Sequence, residues 1–573
     1  MGSIESGDPQ LPLLHHHQVS ASNEHYTKPF NWKAPALILA FEFLESIAFA
    51  GISLNLVVYL GNVLHGTTAS NAANVDTWNG TTFLTPVLGA FLADTYWGKY
   101  KTIAISIVFY LIGLLVITAS AVIPSLQPAP CQGNSCPPAT GFQYFVFFTA
   151  LYLISVGTGG VKSALLPFGA DQYNDSNLEE SKKKQSFFSL FFIAVNLGVF
   201  ISGTVVVWIQ QNVAWSLGFG IASICLIVAT VAFVAGTPVY RVQLPTGSPL
   251  KSIIMVFVAS FKKRKVEVPA NDALLHEGDD ADSRNGQSIK LAHTDGFRCL
   301  DKAAVVVYED EDAEESRKEV SSWSSSWLVE EVKILVRMLP IWVTSVLYAA
   351  SIGQTATTFV QQGNAMNTRI GSFSVPAASL NSAEVIFMMV WVVFQDSVVI
   401  PIARRYTGNP AGLTQLQRMG VGRFLVVPAL AVAAMLETWR LRSVRAGAGN
   451  LSIAWQLPQF VILACSDVFC GIAQLEFFYS EAPVSMRSLC SAFSFLALSL
   501  GYYVNSFVIS IVAALTTSGG SKGWLPADLN DGHLDYYFWL WTAISALNFV
   551  VYTAFAKNYT VKRLVVPHPH PTH

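Results

Sequence analysis

About twelve stretches of roughly 20 mostly apolar residues, joined by short polar connections, constrain this 573-residue chain more than any single motif. They begin near Ala34, Thr77, Thr102, Phe142, Phe187, Trp215, Val332, Phe373, Leu413, Trp455, Ser488 and Tyr536. A run of that length matches the hydrocarbon thickness of a bilayer, where a helix satisfies its backbone polar groups internally. Composition agrees, because only 13% of residues are charged and 52% are hydrophobic. A soluble domain carries about 25% charged residues, so this chain has too few charges to cover a soluble surface. It is read as an all-α integral membrane protein. A net charge of −2 gives no basis for nucleic-acid binding. The polar opening residues contain no signal-peptide core, so the first span is expected to act as its own insertion signal.

A polar segment from Pro238 to Trp327 separates six spans from six. It contains the KKRK run at Lys262–Lys265 and acidic runs such as GDD and YEDEDAEE, too polar to cross a membrane and in part of disordered composition. The expected organisation is an N-terminal tail over 1–31, a six-helix half over 32–236, a central loop over 237–329, a second half over 330–557 and a tail over 558–573. Two six-helix halves around a midplane site are the arrangement of major facilitator transporters. Lys99, Lys101, Lys182, Lys183, Lys184, Arg404, Arg405, Arg487, Lys562 and Arg563 fall on one side if both termini are cytoplasmic. Arg440, Arg442 and Arg445 fall on the other side, as an exception. Cys131 and Cys136 share a Pro-rich outward loop, where a disulfide and two free thiols are both open. The seven cysteines show neither a CxxC pair nor zinc spacing, so no metal site is expected. Of the N-x-S/T triplets, only Asn450 lies in an outward loop clear of a span.

Glu42 and Glu45 lie inside the first apolar run, ALILAFEFLESIAFAGISLNLVVYL. Hydrocarbon does not solvate carboxylates, so acids in a span face a bundle interior or a water-filled cavity and serve ion or proton movement. Their i, i+3 spacing places both on one helix face. A helix-packing polar pair is the structural alternative; a proton site in a transporter is the functional reading.

Several segments together resemble one family. GAFLADTYWGKYKTIAI (Gly89–Ile105), FFSLFFIAVNLGVF (Phe187–Phe200) and FFYSEAP (Phe477–Pro483) resemble the signatures of proton-dependent oligopeptide transporters. HTDGFRCLDKAA (His293–Ala304), LPIW (Leu339–Trp342) and LTQLQRMGVG (Leu413–Gly422) resemble the plant nitrate and peptide transporter branch. The resemblance implies a twelve-helix major facilitator fold, proton-coupled transport without any other cofactor, and function as a monomer. It also assigns roles. Glu42, Glu45 and Lys162 match the proton-coupling cluster. Glu476 is placed to receive a substrate amino terminus through a charge-assisted bond. Asn196, Gln354 and Trp342 are polar or aromatic candidates for substrate contact, with helix-to-helix bonding or packing as the alternative. Asp94 and Lys99, in a D-x-x-x-G-K turn, and Glu481 are gating candidates.

The chain also departs from the family. The first-span pattern E-x-x-E-R/K keeps both acids, but its basic residue is Ser46. The usual tyrosines are Phe49, kept as a substrate contact, and Ala50. With Lys162 the one remaining cation, at least one of the two acids is expected to hold a proton near neutral pH, and coupling to be shifted or weakened. Span seven, SVLYAASIGQ (Ser345–Gln354), has Ile352 where a nitrate carrier would present a histidine. The expected activity is therefore proton-coupled symport of di- and tripeptides or similar zwitterions across a plant membrane, with no enzymatic function. A carrier of nitrate, a hormone or a specialised metabolite, and a transport-dead sensor, are the rivals. Leu13-Leu14 after Asp8 approximates an acidic dileucine signal with one residue too many. The plasma membrane is favoured, with the vacuolar membrane as the alternative.

Overall fold

The computed structural model describes residues 30–129, 136–174, 177–243, 249–264, 296–305, 326–371, 373–408, 412–481, 488–518 and 522–559. Eleven of its helices are long and apolar enough to cross a membrane. Thr68–Leu92 makes the twelfth. Its apolar character is diluted by Asn71, Asp76 and Asn79, which it buries against its neighbours. The span therefore starts at Thr68 and not near Thr77, because polar residues inside a bundle read as loop in a hydropathy scan.

The first half contains span one (Lys33–Ser53, continuing as Leu56–Asn62), span two (Thr68–Leu92), span three (Lys99–Val122), span four (Gly141–Ala170), span five (Leu178–Ile201, continuing as Val207–Asn212) and span six (Trp215–Ala235). The second half contains span seven (Ser326–Ile352, continuing as Thr358–Asn364), span eight (Leu380–Phe394 and Ile400–Thr407), span nine (Gln415–Arg445), span ten (Leu457–Glu481), span eleven (Ser488–Thr516) and span twelve (Leu534–Asn558). Phe373 does not open span eight. It pairs in a short antiparallel hairpin of Arg369–Ile370 with Phe373–Ser374, turned at Gly371 in the left-handed region. The apolar content of that hairpin extends the span in sequence but not in structure.

Capping boxes at Thr140 with Gln143 and at Thr414 with Gln417 start spans four and nine. Span one packs on five and six, three on four and six, and two on four. In the second half, seven packs on eleven and twelve, eight on ten, and nine on ten and twelve. Small residues permit the closest approaches. A Cβ added at Gly157 would lie 2.6 Å from the Tyr110 Cα, so spans three and four meet backbone to backbone.

The halves meet mainly along spans two and eleven. Hydrogen bonds join Thr77 to Ser506 (2.8 Å), Thr81 to Tyr503 (2.9 Å) and the Thr68 carbonyl to Gln361 (2.9 Å). Thr68 lies at the end of the bundle opposite Lys99, here termed the opposite face, as against the basic face that carries Lys99, Arg404 and Arg405, and Thr77 and Thr81 lie near the middle of span two.

Part of the central loop is docked. Helix Pro249–Lys262 packs against residues 298–304, and Lys263 donates to the Ala303 and Val305 carbonyls at 3.0 and 2.8 Å. Lys333 of span seven is fully buried between Asp301 and Glu330, each at 2.7 Å. The acidic runs, Lys265 and His293 lie outside the described residues, as do Leu13, Leu14, Cys131, Arg487, Lys562 and Arg563. Cys136 is disulfide-bonded, whereas Cys225, Cys299, Cys465 and Cys470 are free thiols.

Arg440, the exception in the charge pattern, is neutralised inside the protein. It is fully buried against Glu437 (2.6 Å) and donates to Asn530 (2.6 Å).

Candidate transport site

Span one carries Glu42 and Glu45 one turn apart, both buried, so the carboxylates face the bundle and not lipid. The Tyr110 hydroxyl of span three donates to Glu45 Oε1 at 3.1 Å. The Thr158 hydroxyl of span four is buried beside Glu45 and Tyr110. Lys162 comes from span four. Its ammonium lies 3.8 Å from the centre of the Phe49 ring. It is within electrostatic reach of both acids, yet no ion pair joins it to either among the described residues. Phe49 in turn stacks on Trp78 of span two at 5.9 Å. Glu42, Glu45, Lys162 and Phe49 are thus brought to one site. Ser46 is buried against span five, where Gly198 leaves it room.

A second acidic site, absent from the sequence-based candidates, lies in the other half. The Tyr348 hydroxyl of span seven donates to Asp467 Oδ1 of span ten at 3.1 Å. Glu384 of span eight is buried within electrostatic reach of Asp467. No ion pair reaches either acid among the described residues. Tyr502 of span eleven lies within reach of both acids and stacks on Phe83 of span two at 5.7 Å, which links this site to the first half. The signal was present in the sequence. The rule that singles out Glu42 and Glu45, acids inside an apolar span, applies equally to Glu384 and Asp467.

The remaining candidates lie elsewhere. Glu476 is half-exposed and paired with Arg418 of span nine, so its carboxylate is spent on a helix-to-helix ion pair. Gln354 is fully buried, donates to Asn505 at 2.7 Å and accepts from Thr358 at 2.7 Å. It ties spans seven and eleven together and presents nothing to a solute. The Trp342 indole donates to the Phe493 carbonyl at 2.9 Å and packs edge-on against that ring. Asn196 donates to Phe192 of its own helix at 2.8 Å. Lys99 pairs with Asp171 at the end of span four at 2.5 Å, within the same half. Burial holds the nearby Asp94 carboxyl above its ordinary value, with Lys99 pulling it down and Asp171 pushing it up. Glu481 is buried and accepts from the Tyr559 hydroxyl at 3.0 Å. No group of metal-ligating side chains occurs among the described residues.

Comparison with known proteins agrees with this architecture. The profile described as "PTR2: POT family" matches residues 100–525. Protein NRT1/PTR FAMILY 8.3 of Arabidopsis thaliana is 45% identical over 549 residues, covering 94% of this chain and 93% of that protein. Protein NRT1/PTR FAMILY 8.1 of the same plant is 42% identical, covering 96% and 97%. Among solved structures, an auto-inhibited POT family peptide transporter superposes with a TM-score of 0.69 at 21% identity, covering 93% of this chain and 99% of that one. The POT family transporter PepTSo gives 0.67 at 20%, with the same coverage. These two likenesses carry the major facilitator fold, with its two six-helix halves. The relatives and the profile carry the rest: the chain belongs to the POT family of membrane transporters, among its NRT1/PTR members, and is not an enzyme.

Proposed function

We propose that the protein is a proton-coupled symporter of di- and tripeptides or similar small zwitterions. The observation that carries this reading is the complementary charge of the two sites. Among the described residues, Lys162 in the first half has no ion-paired carboxylate, and Asp467 and Glu384 in the second half have no ion-paired cation. A solute with a carboxylate at one end and an ammonium at the other satisfies both in a partly dry interior, where charge-assisted bonds are strong. In this reading Asp467, not Glu476, receives the amino end. Protons at Glu42 and Glu45 are the coupling ions. Proton and solute act together because each binds one access state better than the other.

The basic face is assigned to the cytoplasm of a plant cell, with both termini on that side, the plasma membrane as location and a single chain as the working unit. Lys99, Arg404 and Arg405 support the orientation. So do the internal neutralisation of Arg440 and the disulfide at Cys136, since disulfides persist in oxidising compartments.

The test is uptake of labelled dipeptide in oocytes at acid and neutral external pH, with current recorded and surface delivery confirmed. Acid-stimulated uptake with inward current, strongly reduced in Asp467→Asn at low dipeptide concentration, is expected. No uptake by surface-delivered protein at either pH overturns the reading.

One observation favours a second reading. Arg423 of span nine is buried, donates to Ser345 of span seven at 2.7 Å and lies 4.1 Å from the Tyr552 ring centre, with no carboxylate partner among the described residues. It supplies a cation beside the Ser345–Gln354 stretch, which has none of its own, so an anion such as nitrate is the alternative cargo. Nitrate-driven current that survives Asp467→Asn and fails in Arg423→Gln would establish it.

A further inference from the structure

Asp76 of span two belongs to neither charged site. It is completely buried, and its Oδ2 accepts from Asn505 Nδ2 of span eleven at 2.6 Å. Its Oδ1 is buried without a partner in the structure. No cation reaches it among the described residues. The titratable groups that face it are Tyr502 of span eleven and Tyr537 of span twelve, both neutral hydroxyls. Asn505 Oδ1 accepts from Gln354 of span seven at 2.7 Å and from Tyr537 at 3.0 Å. One carboxylate in the first half thus anchors a network that reaches three helices of the second. The network lies in the same seam as the Thr77–Ser506 and Thr81–Tyr503 bonds, on the side of the bundle toward the opposite face.

We propose that Asp76 is a second proton-binding site, separate from the Glu42–Glu45–Lys162 cluster, and that it links closure of the spans two and eleven seam to proton uptake. An ionised carboxylate sealed away without a cation is strongly disfavoured, and a single amide donor does not replace its water. A proton on Oδ1 removes the charge and turns the orphaned acceptor into a hydroxyl. Oδ2 remains free to accept from Asn505, so the latch survives neutralisation. When the halves part along this seam, water reaches Asp76 and solvates the ionised form. The closed state therefore holds this proton better than the open state. Only such a difference lets a proton shift the equilibrium between them. Acid on the opposite face then favours closure, whatever solute is carried.

The test needs no solute. Ser506→Cys places a thiol in the seam, facing Thr77 and half-buried, where a polar thiol reagent reaches it faster when the halves separate. The full-length protein in nanodiscs is labelled at acid and neutral pH. Rates are corrected for thiolate fraction with a free-thiol standard and for background with the unsubstituted protein. The corrected rate is expected to fall several-fold at acid pH. Asp76→Asn in the same background should label slowly already at neutral pH and lose most of the pH dependence, because the amide keeps the acceptor and never ionises. Glu45→Gln in that background should keep the pH dependence. Should Asp76→Asn not reach the membrane, Asp76→Thr serves, since it too cannot titrate. A pH dependence that persists undiminished in the Asp76 variant, or one that disappears in Glu45→Gln alone, overturns the proposal. Failure of dipeptide transport leaves this result untouched.

Discussion

The ammonium of Lys162 rests on the face of the Phe49 ring, 3.8 Å from its centre, instead of closing on Glu42 or Glu45. In a family whose first-span pattern places a base beside these acids, Ser46 has removed one cation, and Phe49 holds the other off the carboxylates. Such a contact is worth ~0.5–2 kcal/mol, more when it is desolvated. Phe49→Leu removes the ring and frees Lys162 to reach the acids. The pH of half-maximal uptake should then move to more acid values, while Phe49→Trp, which keeps a ring face, leaves it near that of the parent. A pH profile of uptake for both variants checks this.

Asp467 and Glu476 make opposite predictions although both lie on span ten. A charge-assisted bond to a substrate ammonium is worth ~1.5–3 kcal/mol, so Asp467→Asn should raise KM for a dipeptide by roughly 10- to 100-fold. The same variant should do little to a solute without an amine. Glu476 is half-exposed and paired with Arg418. Exposed pairs are worth ~0–1 kcal/mol, so Glu476→Gln should change KM by less than about fivefold. Concentration-dependent uptake by the two variants separates the roles.

The helices were legible in the sequence, because a bilayer demands long apolar runs and the chain supplies them. The Glu42, Glu45 and Lys162 cluster was legible for a related reason, since charge inside such a run has few uses. Direction around a helix was not. Asp467 and Glu476 are nine residues apart, and at about 100° per residue they point to opposite sides of span ten. Sequence resemblance favoured the residue in the more conspicuous motif, and only packing shows that it faces span nine. Span two was under-read for the reverse reason. Its Asn71, Asp76 and Asn79 mimic a loop until neighbouring helices bury them. The hairpin at Phe373 was over-read, because local apolar content carries no information on strand pairing.

Gly198 sets the distance between spans one and five. A Cβ there would lie 2.6 Å from Ser46 Cβ and 2.8 Å from the Phe43 carbonyl oxygen, and the backbone atom has no rotamer by which to withdraw. Gly198→Ala should therefore lower stability by ~1–3 kcal/mol, the usual range for overpacking. Gly220 of span six has nothing within 4 Å of such a Cβ, so Gly220→Ala should be neutral or slightly stabilising. Thermal denaturation of the two purified variants checks the contrast.

The Glu437–Arg440 pair is fully buried and further bonded to Gln362 and Asn530. Removing one partner of a buried pair leaves an uncompensated charge and costs ~3–5 kcal/mol. Arg440→Met and Glu437→Leu should each lose most folded protein. The double variant should recover much of it, because an apolar replacement of both charges is often near neutral. Size-exclusion profiles of the three variants measure the recovery.

Lys333 fastens the central loop to the second half. Its ammonium is fully buried, 2.7 Å from Asp301 in the loop and 2.7 Å from Glu330 on its own helix. Leu300, Ala303 and Ala304 of the same loop segment are buried, and the segment packs on span seven. Lys333→Met keeps the length and apolar stem of the side chain but leaves two carboxylates facing each other without the cation, at a cost of ~3–5 kcal/mol. The cheapest relief is local, because undocking residues 296–305 returns Asp301 to water while the helices stay packed. Limited proteolysis should then cut within 296–305 well before the parent is cut there, with helix content unchanged. Lys333→Arg retains the charge and should protect the segment better than Met. Equal protection in the Met and parent proteins would show that apolar packing alone holds this part of the loop in place.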